Sequence, residues 1–323
     1  MKYTHLGRSG LLVSRLCLGT MNFGSFTSDN DSFAIMDESL NLEINFFDTA
    51  NVYGNEKGVG YTESLIGKWF AQGGGRRDKI VLATKVHNRM GNGVNDQELS
   101  AYHIKKACED SLKRLQTDHI DLYQMHHVDR DTPWEEIWQA MQQLIHEGKI
   151  IYTGSSNFAA WNIVEANYKA KEKGLFGLVS EQSIYSLLNR HIELEVIPAC
   201  KAQGVSIIPW SPLGGGILGG IIKKQFSGRT RRGELDNKVQ EMKNQLETYE
   251  KLCEDLGEAP ANVALAWMLK NETIASPIIG PRTIEQVRET LRAVEIKLDD
   301  ATMKKLDEIW PGPGNQAPEA YAW

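Results

Sequence analysis

Four side chains that can hold or move a proton follow short apolar runs of the sequence. Asp48 ends "NFFD", Lys85 ends "VLATK" and His126 ends "DLYQMH", while Tyr53 comes five residues after Asp48. A lysine ammonium near a phenol stabilises the phenolate, so we expect Lys85 to lower the pKa of Tyr53 from about 10. An aspartate beside the lysine would orient it, and a histidine near the same oxygen could orient a carbonyl or share its proton. This set predicts a site that protonates an oxygen which has just received a hydride.

Each of these residues is weak support when it is taken alone. An isolated lysine or aspartate at a strand end is more often a snorkelling side chain or a turn residue. The adjacent His126 and His127 suggest a metal pair, but adjacent strand residues face opposite sides, and we expect no metal. The four cysteines lie far apart without a C-x-x-C pair, which argues against a zinc site or a disulfide framework. The prediction therefore depends on the four residues lying together.

Short apolar runs bounded by Gly, Asn or Asp recur along the chain. The predicted strands are 15–19, 45–48, 79–85, 119–126, 150–156, 177–182, 205–210 and 275–280. Stretches with helical spacing separate most of them, for example Ile104, Ala107, Ser111 and Leu115. Repeated strand–helix alternation indicates an α/β fold, and eight parallel strands favour a (β/α)8 TIM barrel over a doubly wound sheet. Residues 3–14 predict an N-terminal β-hairpin that closes the bottom of the barrel.

Composition narrows the class of protein. The chain has 323 residues, of which 41% are hydrophobic, and no linker-like segment, so we expect a single domain over residues 1–323. Its formal net charge of −6 is not typical of a nucleic-acid binder. The N-terminus lacks a signal-peptide pattern, and no apolar stretch approaches the length of a membrane span. With its scattered cysteines, the chain is expected to be cytoplasmic, with no nucleic-acid or membrane partner.

Polar residues of unusual type stand where the predicted strands end. Active sites of such barrels lie at the carboxyl ends of the strands. The residues at these ends are Thr20, Asp48, Lys85, His126, Ser156, Asn157, Gln182, Trp210, Ser211 and Arg282. A protein selected only for packing would not be expected to place them so regularly. The carboxyl ends of the strands are therefore the predicted active site.

Several sequence blocks have the types and order of a known family. They are "NFFDTANVYG", "VLATK", "DLYQMHH", "GSSNF", "SEQSIYSLLNR", "PWSPLGGG" and "PIIGPRTIEQ". Over nearly its full length the chain resembles the aldo-keto reductases. The resemblance implies a (β/α)8 barrel that reduces aldehydes and ketones with NADPH, forming NADP+, and without a metal. It also implies that Asp48, Tyr53, Lys85 and His126 are the catalytic residues.

The same resemblance implies contacts for the cofactor and the substrate. Ser156, Asn157 and Gln182 would hydrogen-bond the nicotinamide carboxamide, and Trp210 would stack on the ring where the family commonly has Tyr. Residues 211–214 would follow the pyrophosphate. The expected cofactor contacts are Gly19, Thr20, Met21, Asp48, Ser156, Asn157, Gln182, Trp210, Ser211, Pro212, Leu213, Gly214, Gly280, Arg282, Gln286, Glu289 and Thr290, with Arg282 and Gln286 at the 2′-phosphate. The expected substrate contacts are Asn22, Phe23, Tyr53, His126 and His127.

The segment 211–240 is Gly-rich and then basic, and it is predicted to be a long loop. Its run 214–219 matches G-x-G-x-x-G, but Pro212 precedes the run and no amphipathic helix follows a short turn. We therefore interpret these glycines as a loop over the cofactor instead of a Rossmann unit. The basic stretch 228–233 is interpreted as part of the same loop.

Three functions fit these motifs. The first is NADPH-dependent reduction of a carbonyl in a small or sugar-like metabolite. The second is reduction of a conjugated C=C bond beside a ketone, for example in a keto-sugar. The third is a cofactor-sensing regulatory subunit like the potassium-channel β-subunits. His126 favours the first, because family members that reduce steroid double bonds have Glu at that place. Substrate identity and oligomeric state stay open at this point.

Overall fold

An eight-stranded parallel sheet forms the centre of the protein in a computed structural model that describes residues 1–223 and 232–320. The strands are β1 (Tyr3–His5), β2 (Leu12–Ser14), β3 (Cys17–Gly19), β4 (Phe46–Asp48), β5 (Val81–Val86), β6 (Ile120–Met125), β7 (Ile150–Ser156), β8 (Leu178–Gln182), β9 (Ser206–Ile207) and β10 (Ile278–Ile279). Strands β3 to β10 form the sheet in the order β10-β3-β4-β5-β6-β7-β8-β9. Each of them lies within a segment predicted from the sequence, except that β5 extends one residue further.

The sheet closes into a barrel through the segment that leads to β10. The main-chain N–H of Ile207 donates to the carbonyl of Thr273 at 2.8 Å, and that of Ala275 donates to the carbonyl of Ile207 at 2.9 Å. Further along, the N–H of Ile278 donates to the carbonyl of Pro209 at 2.8 Å. Because β10 also pairs with β3 in parallel, the last strand joins the first. The predicted (β/α)8 barrel is confirmed.

Helices cover the outside of the barrel between the strands. They are α1 (Asp29–Asn41), α2 (Tyr61–Phe70), α3 (Ala101–Leu115), α4 (Trp134–His146), α5 (Ala160–Glu172), α6 (Val196–Gln203), α7 (Arg232–Glu241), α8 (Lys243–Asp255), α9 (Pro260–Leu269), α10 (Ile284–Thr290) and α11 (Asp300–Ile309). Helix α3 shows why the spacing works: Ile104, Ala107, Ser111 and Leu115 are all buried on one face. Its first turn is capped by Ser100, whose hydroxyl accepts the N–H of His103.

Strands β1 and β2 pair antiparallel and close the amino end of the barrel. Leu6 and Val13 have no exposed area, and they pack against apolar side chains inside the barrel. Gly7, in the turn, has a φ of 58° and lies so close to the carbonyl of Val179 that a Cβ would be 2.3 Å from its oxygen. Its N–H donates to the hydroxyl of Ser206 at 2.8 Å. The predicted hairpin and its position are confirmed.

The segment after β9 differs from the prediction of a long loop. Gly214–Gly219 forms short 3-10 turns separated by a kink at Gly215 and Gly216, whose φ angles of 71° and 103° are not helical. Residues 232–240 belong to helix α7, so the loop prediction is wrong there. Of the α7 residues whose side chains are described, only Val239 is buried, and a helix without an apolar stripe gives no periodic signal. The basic stretch 228–233 lies mostly outside the described residues.

Candidate active site

Lys85 and Asp48 meet inside the barrel at the carboxyl ends of β5 and β4. Nζ of Lys85 donates to Oδ2 of Asp48 at 2.6 Å, to the carbonyl of Thr49 at 2.8 Å and to the hydroxyl oxygen of Tyr53 at 3.2 Å. Lys85 has no exposed area. Burial by itself would lower the pKa of this ammonium, but Asp48 and Tyr53 more than offset it, and the pKa of Lys85 is raised. Lys85 is therefore a fixed, charged hydrogen-bond donor.

The second oxygen of Asp48 is also partnered. Oδ1 accepts from Nε2 of Gln124 at 3.0 Å and from Nε2 of Gln182 at 2.8 Å. Gln124 was not among the predicted site residues. Gln124 lies two residues after Leu122 in β6, and Leu122 packs inside the barrel. Because alternate strand residues face the same side, this spacing in the sequence places Gln124 inside the barrel as well. The two amides hold the carboxylate in one orientation.

Tyr53 lies in the loop after β4, and its hydroxyl oxygen accepts the bond from Lys85. The ammonium also stands 4.9 Å from the centroid of the Tyr53 ring. Within the described residues, no group accepts the hydroxyl proton. Burial raises the pKa of Tyr53 and Lys85 lowers it, and the net result lies above the usual value. The expected net lowering is therefore wrong, because burial outweighs the lysine, and Tyr53 keeps its proton at neutral pH.

His126 follows β6, with its ring edge-on to that of Tyr53 at a centroid distance of 6.1 Å. Its Nδ1 is buried and has no hydrogen-bond partner among the described residues. Burial, with Lys85 and the two neighbouring histidines, lowers the pKa of His126 to about 2, so the imidazole is neutral. His127 stacks on His126 at 5.1 Å, and His87 lies 5.3 Å from His127. In the described ranges, no group of three or more acidic, His or Cys side chains could hold a metal.

Sequence reasoning missed His87, although the residue carries a recognisable signal. It stands two positions after Lys85, just past the end of β5, and so belongs to the same strand end as a predicted catalytic residue. Its ring extends the row formed by His126 and His127. Three imidazoles therefore line one side of the site near Tyr53.

Asn157 connects three of the strand ends. Its Nδ2 donates to the carbonyl of His126 at 3.2 Å and to the hydroxyl of Ser156 at 3.0 Å. Its Oδ1 accepts from the indole N–H of Trp210 at 3.1 Å. The hydroxyl of Ser156 donates to the carbonyl of Gln182 at 2.9 Å. The residues expected at the nicotinamide are thus in contact with one another and with the Asp48–Lys85 pair.

The residues at the end of β3 and just after it mostly make contacts that hold the barrel together. The hydroxyl of Thr20 donates to the carbonyl of Asp48 at 2.9 Å. A Cβ on Gly19 would lie 2.5 Å from the side chain of Ile278, so the glycine permits close packing of β3 and β10. Met21 is exposed. The close approach of Ile278 explains why glycine occupies position 19.

Two of the expected substrate residues have structural partners. Nδ2 of Asn22 donates to the carbonyl of Gly280 at 3.0 Å, which links the loops after the first and last barrel strands. Phe23 has no exposed area and packs in the hydrophobic core. The structure therefore does not support a substrate contact for the Phe23 side chain, because its ring is enclosed by other apolar side chains. His127, in contrast, is exposed.

The loop after Trp210 turns sharply at Ser211, which has a φ of 52°. Pro212 is buried, while Leu213 and Gly214 are half-buried, and the N–H of Gly214 donates to the carbonyl of Ser211 at 2.9 Å. This tight turn leads directly into the kink at Gly215 and Gly216.

The remaining expected cofactor contacts lie around α10. The guanidinium of Arg282 lies 4.7 Å over the ring of Phe26, and its main-chain N–H donates to Oε1 of Gln286 at 2.8 Å. Glu289 is exposed, and the hydroxyl of Thr290 donates to the carbonyl of Val287 inside the helix. Arg282 therefore stands at the same end of the barrel as Trp210, beside the loop after β3.

A sequence profile described as the Aldo/keto reductase family matches residues 15–311. The chain belongs to the aldo/keto reductase family. The uncharacterized oxidoreductase YrpG of Bacillus subtilis strain 168 is 55% identical over the whole of both chains. A probable voltage-gated potassium channel subunit beta of Arabidopsis thaliana is 32% identical over 99% of this chain and 100% of its own. Versiconal hemiacetal acetate reductase of Aspergillus parasiticus is 31% identical over 95% and 96%.

The aldo/keto reductase family is the one that the sequence blocks indicated, so that identification is confirmed. As a member, the protein is an oxidoreductase that uses a nicotinamide cofactor and a small-molecule substrate. No helix in the described ranges combines the length and apolar character needed to cross a membrane.

Proposed function

We propose that this aldo/keto reductase reduces an aldehyde or ketone to an alcohol with NADPH, and that Tyr53 is the general acid. The observation that carries the proposal is the state of the Tyr53 hydroxyl. Its oxygen lies 3.2 Å from the buried ammonium of Lys85, and none of the described residues accepts its proton. The proton is therefore available to a substrate oxygen beside the lysine.

NADPH, when bound, supplies the hydride that adds to the carbonyl carbon. As the C=O π bond breaks, negative charge develops on the substrate oxygen, and Tyr53 donates its proton there. Lys85 stabilises the phenolate that remains, because the two groups are already in hydrogen-bond contact. Asp48 keeps Lys85 in place through their 2.6 Å ion pair. His126 is neutral, so its ring orients the substrate oxygen by hydrogen bonding without adding charge.

The residues present fit a nicotinamide dinucleotide. Oε1 of Gln182 has no hydrogen-bond partner among the described residues, and it would accept from the carboxamide next to Ser156 and Asn157. The half-buried indole of Trp210 offers an apolar surface for the ring. After the turn at 211–214, Gly215 and Gly216 have open space where a Cβ would point, which lets a pyrophosphate approach the main chain. Arg282 and Gln286 would hold the 2′-phosphate.

For the substrate we propose a small, uncharged, sugar-like carbonyl compound. The imidazoles of His126, His127 and His87 lie in a row beside Tyr53. Burial lowers the pKa of His126, and partial burial with the neighbouring His87 lowers the pKa of His127, so both rings are neutral at physiological pH. Neutral imidazoles both donate and accept hydrogen bonds, which suits hydroxyl groups better than phosphates.

A screen of NADPH consumption tests the proposal. The panel contains neutral hydroxyaldehydes and ketosugars, their phosphorylated counterparts, aryl aldehydes and conjugated enones. We expect sustained turnover with neutral carbonyl compounds, and product analysis should show an alcohol. Saturation of the C=C bond in enones, with no alcohol from any carbonyl compound, would assign the protein to enoyl reduction.

The similarity to a probable potassium channel subunit beta favours a second candidate, a cofactor-sensing regulatory subunit. The two functions differ in turnover. A regulatory subunit would oxidise bound NADPH once and then retain the product, so consumption would stop at one equivalent per protein with every substrate. Consumption of many equivalents supports the enzyme.

A further inference from the structure

A second buried carboxyl group, that of Glu181, lies behind the site. Its side chain has no exposed area. Oε1 accepts the main-chain N–H of Phe158 at 3.1 Å and the hydroxyl of Ser183 at 2.7 Å, and Oε2 accepts the hydroxyl of Ser155. The next residue, Gln182, donates from its side-chain amide to the carboxylate of Asp48 inside the barrel. Because adjacent strand residues face opposite sides, Glu181 lies on the outer face of β8.

These bonds fix the turn that follows β7. Ser155 and Phe158, which both bond to Glu181, immediately flank Ser156 and Asn157. Asn157 has a φ of 59°, a left-handed conformation that is uncommon outside glycine and that Asn adopts more readily than most residues. Its main-chain N–H also donates to the carbonyl of Gln182 at 3.0 Å. The Glu181 carboxyl therefore holds both ends of this turn.

We propose that Glu181 is a positioning residue for the cofactor: it holds residues 156–158 so that Ser156 and Asn157 present their side chains to the nicotinamide. The inference rests on the proposed function, since it assigns a new residue to the same cofactor site. Glu181 itself touches neither the cofactor nor the reacting atoms. It acts through the turn, which its carboxylate holds from the outside of the barrel.

The charge of Glu181 affects how well it can do this. Burial raises its pKa to about 7, although the bonds from the two serines and from the main chain of the turn favour the carboxylate. From α6 it faces Cys200, whose thiol stays protonated because burial raises its pKa as well. No cation pairs with Glu181 in the described ranges. All its partners approach as donors, so a proton on the carboxyl displaces one of them, and only the serine hydroxyls can rotate to accept it.

Fluorescence titration of NADPH tests the proposal between about pH 6 and pH 8. Glu181→Gln keeps the shape but replaces one acceptor oxygen with an NH2 donor, so we expect the Kd of NADPH to rise about tenfold or more at pH 8. In the parent, the Kd should rise as the pH falls through 7 and approach that of the variant. The ratio of the variant Kd to the parent Kd should therefore shrink at low pH. Because the cofactor itself titrates equally in both measurements, its own titration cancels in this ratio. At saturating cofactor, kcat should change much less than Kd.

Asp121→Asn is the matched control. Asp121 is also buried, accepts the N–H of Leu82 at 2.8 Å and pairs with Arg77, but it lies at the amino end of β6. This variant should bind NADPH as the parent does. If Glu181→Gln does not fold, Ser183→Ala removes one donor of the same group and should raise the Kd by a smaller factor.

Two outcomes would overturn the proposal, and they differ. If the parent binds NADPH and Glu181→Gln or Ser183→Ala binds it equally well at every pH, Glu181 has only a structural role. If the parent itself binds neither NADPH nor NADH, the proposed function is wrong and this inference is lost with it.

Discussion

Lys85 donates to both Asp48 and Tyr53, so its single charge affects the pKa of Tyr53 and also compensates the buried charge of Asp48. Toward Tyr53, it lowers a pKa that burial raises, and in the proposed mechanism it would stabilise the phenolate left by proton transfer. Toward Asp48, it compensates a carboxylate whose side chain is only 4% exposed. Gln124 and Gln182 bond to the other oxygen of Asp48 but cannot neutralise it. Substitution of Lys85 should therefore lower both activity and stability, whereas substitution of Tyr53 should mainly lower activity.

Tyr53→Phe should reduce kcat by about 10²–10⁴-fold and leave the Kd of NADPH nearly unchanged. In the proposed mechanism the phenol donates its proton only as the alkoxide forms, so its loss should affect the transition state and not cofactor binding. Single-turnover rates and cofactor titrations measure the two effects. Tyr61→Phe is the control, because that phenol donates to Asp29 and has no contact with Lys85. More than half of the parent rate in Tyr53→Phe would exclude the general-acid role.

Lys85→Met should lower both activity and the free energy of unfolding. It leaves a buried carboxylate without its cation, which costs about 3–5 kcal/mol, and denaturant titration measures the loss. It also removes the contribution that lowers the pKa of Tyr53, so any alkaline limb of the pH–rate profile should move to higher pH. The double variant Lys85→Met with Asp48→Asn should recover stability but not activity. An unchanged pH profile would show that Lys85 does not tune Tyr53.

At the scale of elements, the site is assembled from segments that follow different strands. The turn after β7 carries Asn157, the loop after β9 carries Trp210, and the segment between β10 and α10 carries Arg282. Asn157 and Trp210 are hydrogen-bonded to each other, whereas Arg282 lies over Phe26 of the loop after β3. These elements would hold opposite ends of a dinucleotide, so their contributions to cofactor affinity should be separable.

Arg282→Ala should weaken NADPH binding by about ten- to a hundredfold and change NADH binding little. A charge-assisted hydrogen bond to the 2′-phosphate contributes about 1.5–3 kcal/mol, and NADH has no such phosphate. Titration of both cofactors against parent and variant measures the difference. Arg288→Ala, on helix α10 just after Arg282, is the control, because Arg288 is exposed and paired with Glu38 at 2.6 Å. Equal losses for the two cofactors would mean that Arg282 is structural.

At the scale of the whole molecule, the two ends of the barrel differ in structure: one is closed by packed apolar side chains and the other carries the candidate active site. The amino end is closed by β1 and β2, whose Leu6 and Val13 pack against the interior side chains. The carboxyl end carries Asp48, Tyr53 and Lys85. This division is typical of (β/α)8 enzymes, in which one face of the barrel serves stability and the other carries the active site.

Leu6→Ala should lower the free energy of unfolding by about 2–5 kcal/mol, because the side chain is fully buried and its removal leaves a cavity. Below the melting temperature, kcat should stay close to that of the parent. Leu12→Ala is the control on the same hairpin, since Leu12 is 49% exposed, and it should change stability by less than about 0.5 kcal/mol. Loss of kcat in a folded Leu6→Ala protein would contradict the division of the barrel into two ends.

The sequence alone determined where the barrel strands lie, that a hairpin precedes them, and that Asp48, Tyr53, Lys85 and His126 stand at neighbouring strand ends. These are local properties, since apolar runs, helical spacing and strand ends are all read within a few residues. The helix within the segment 211–240 was not predicted, because the sequence of α7 has no apolar stripe.

Only the tertiary structure decided which groups surround these residues. The amides that hold Asp48 come from positions 76 and 134 residues further along the chain, and no local pattern pairs residues so distant. The same holds for Glu181, whose partner Ser155 lies 26 residues away, and for Phe23, whose ring is enclosed by the core. The pKa of Tyr53 depends on both Lys85 and burial, and the sequence indicated only the lysine. Burial is a property of the packed molecule, and here it is the larger effect.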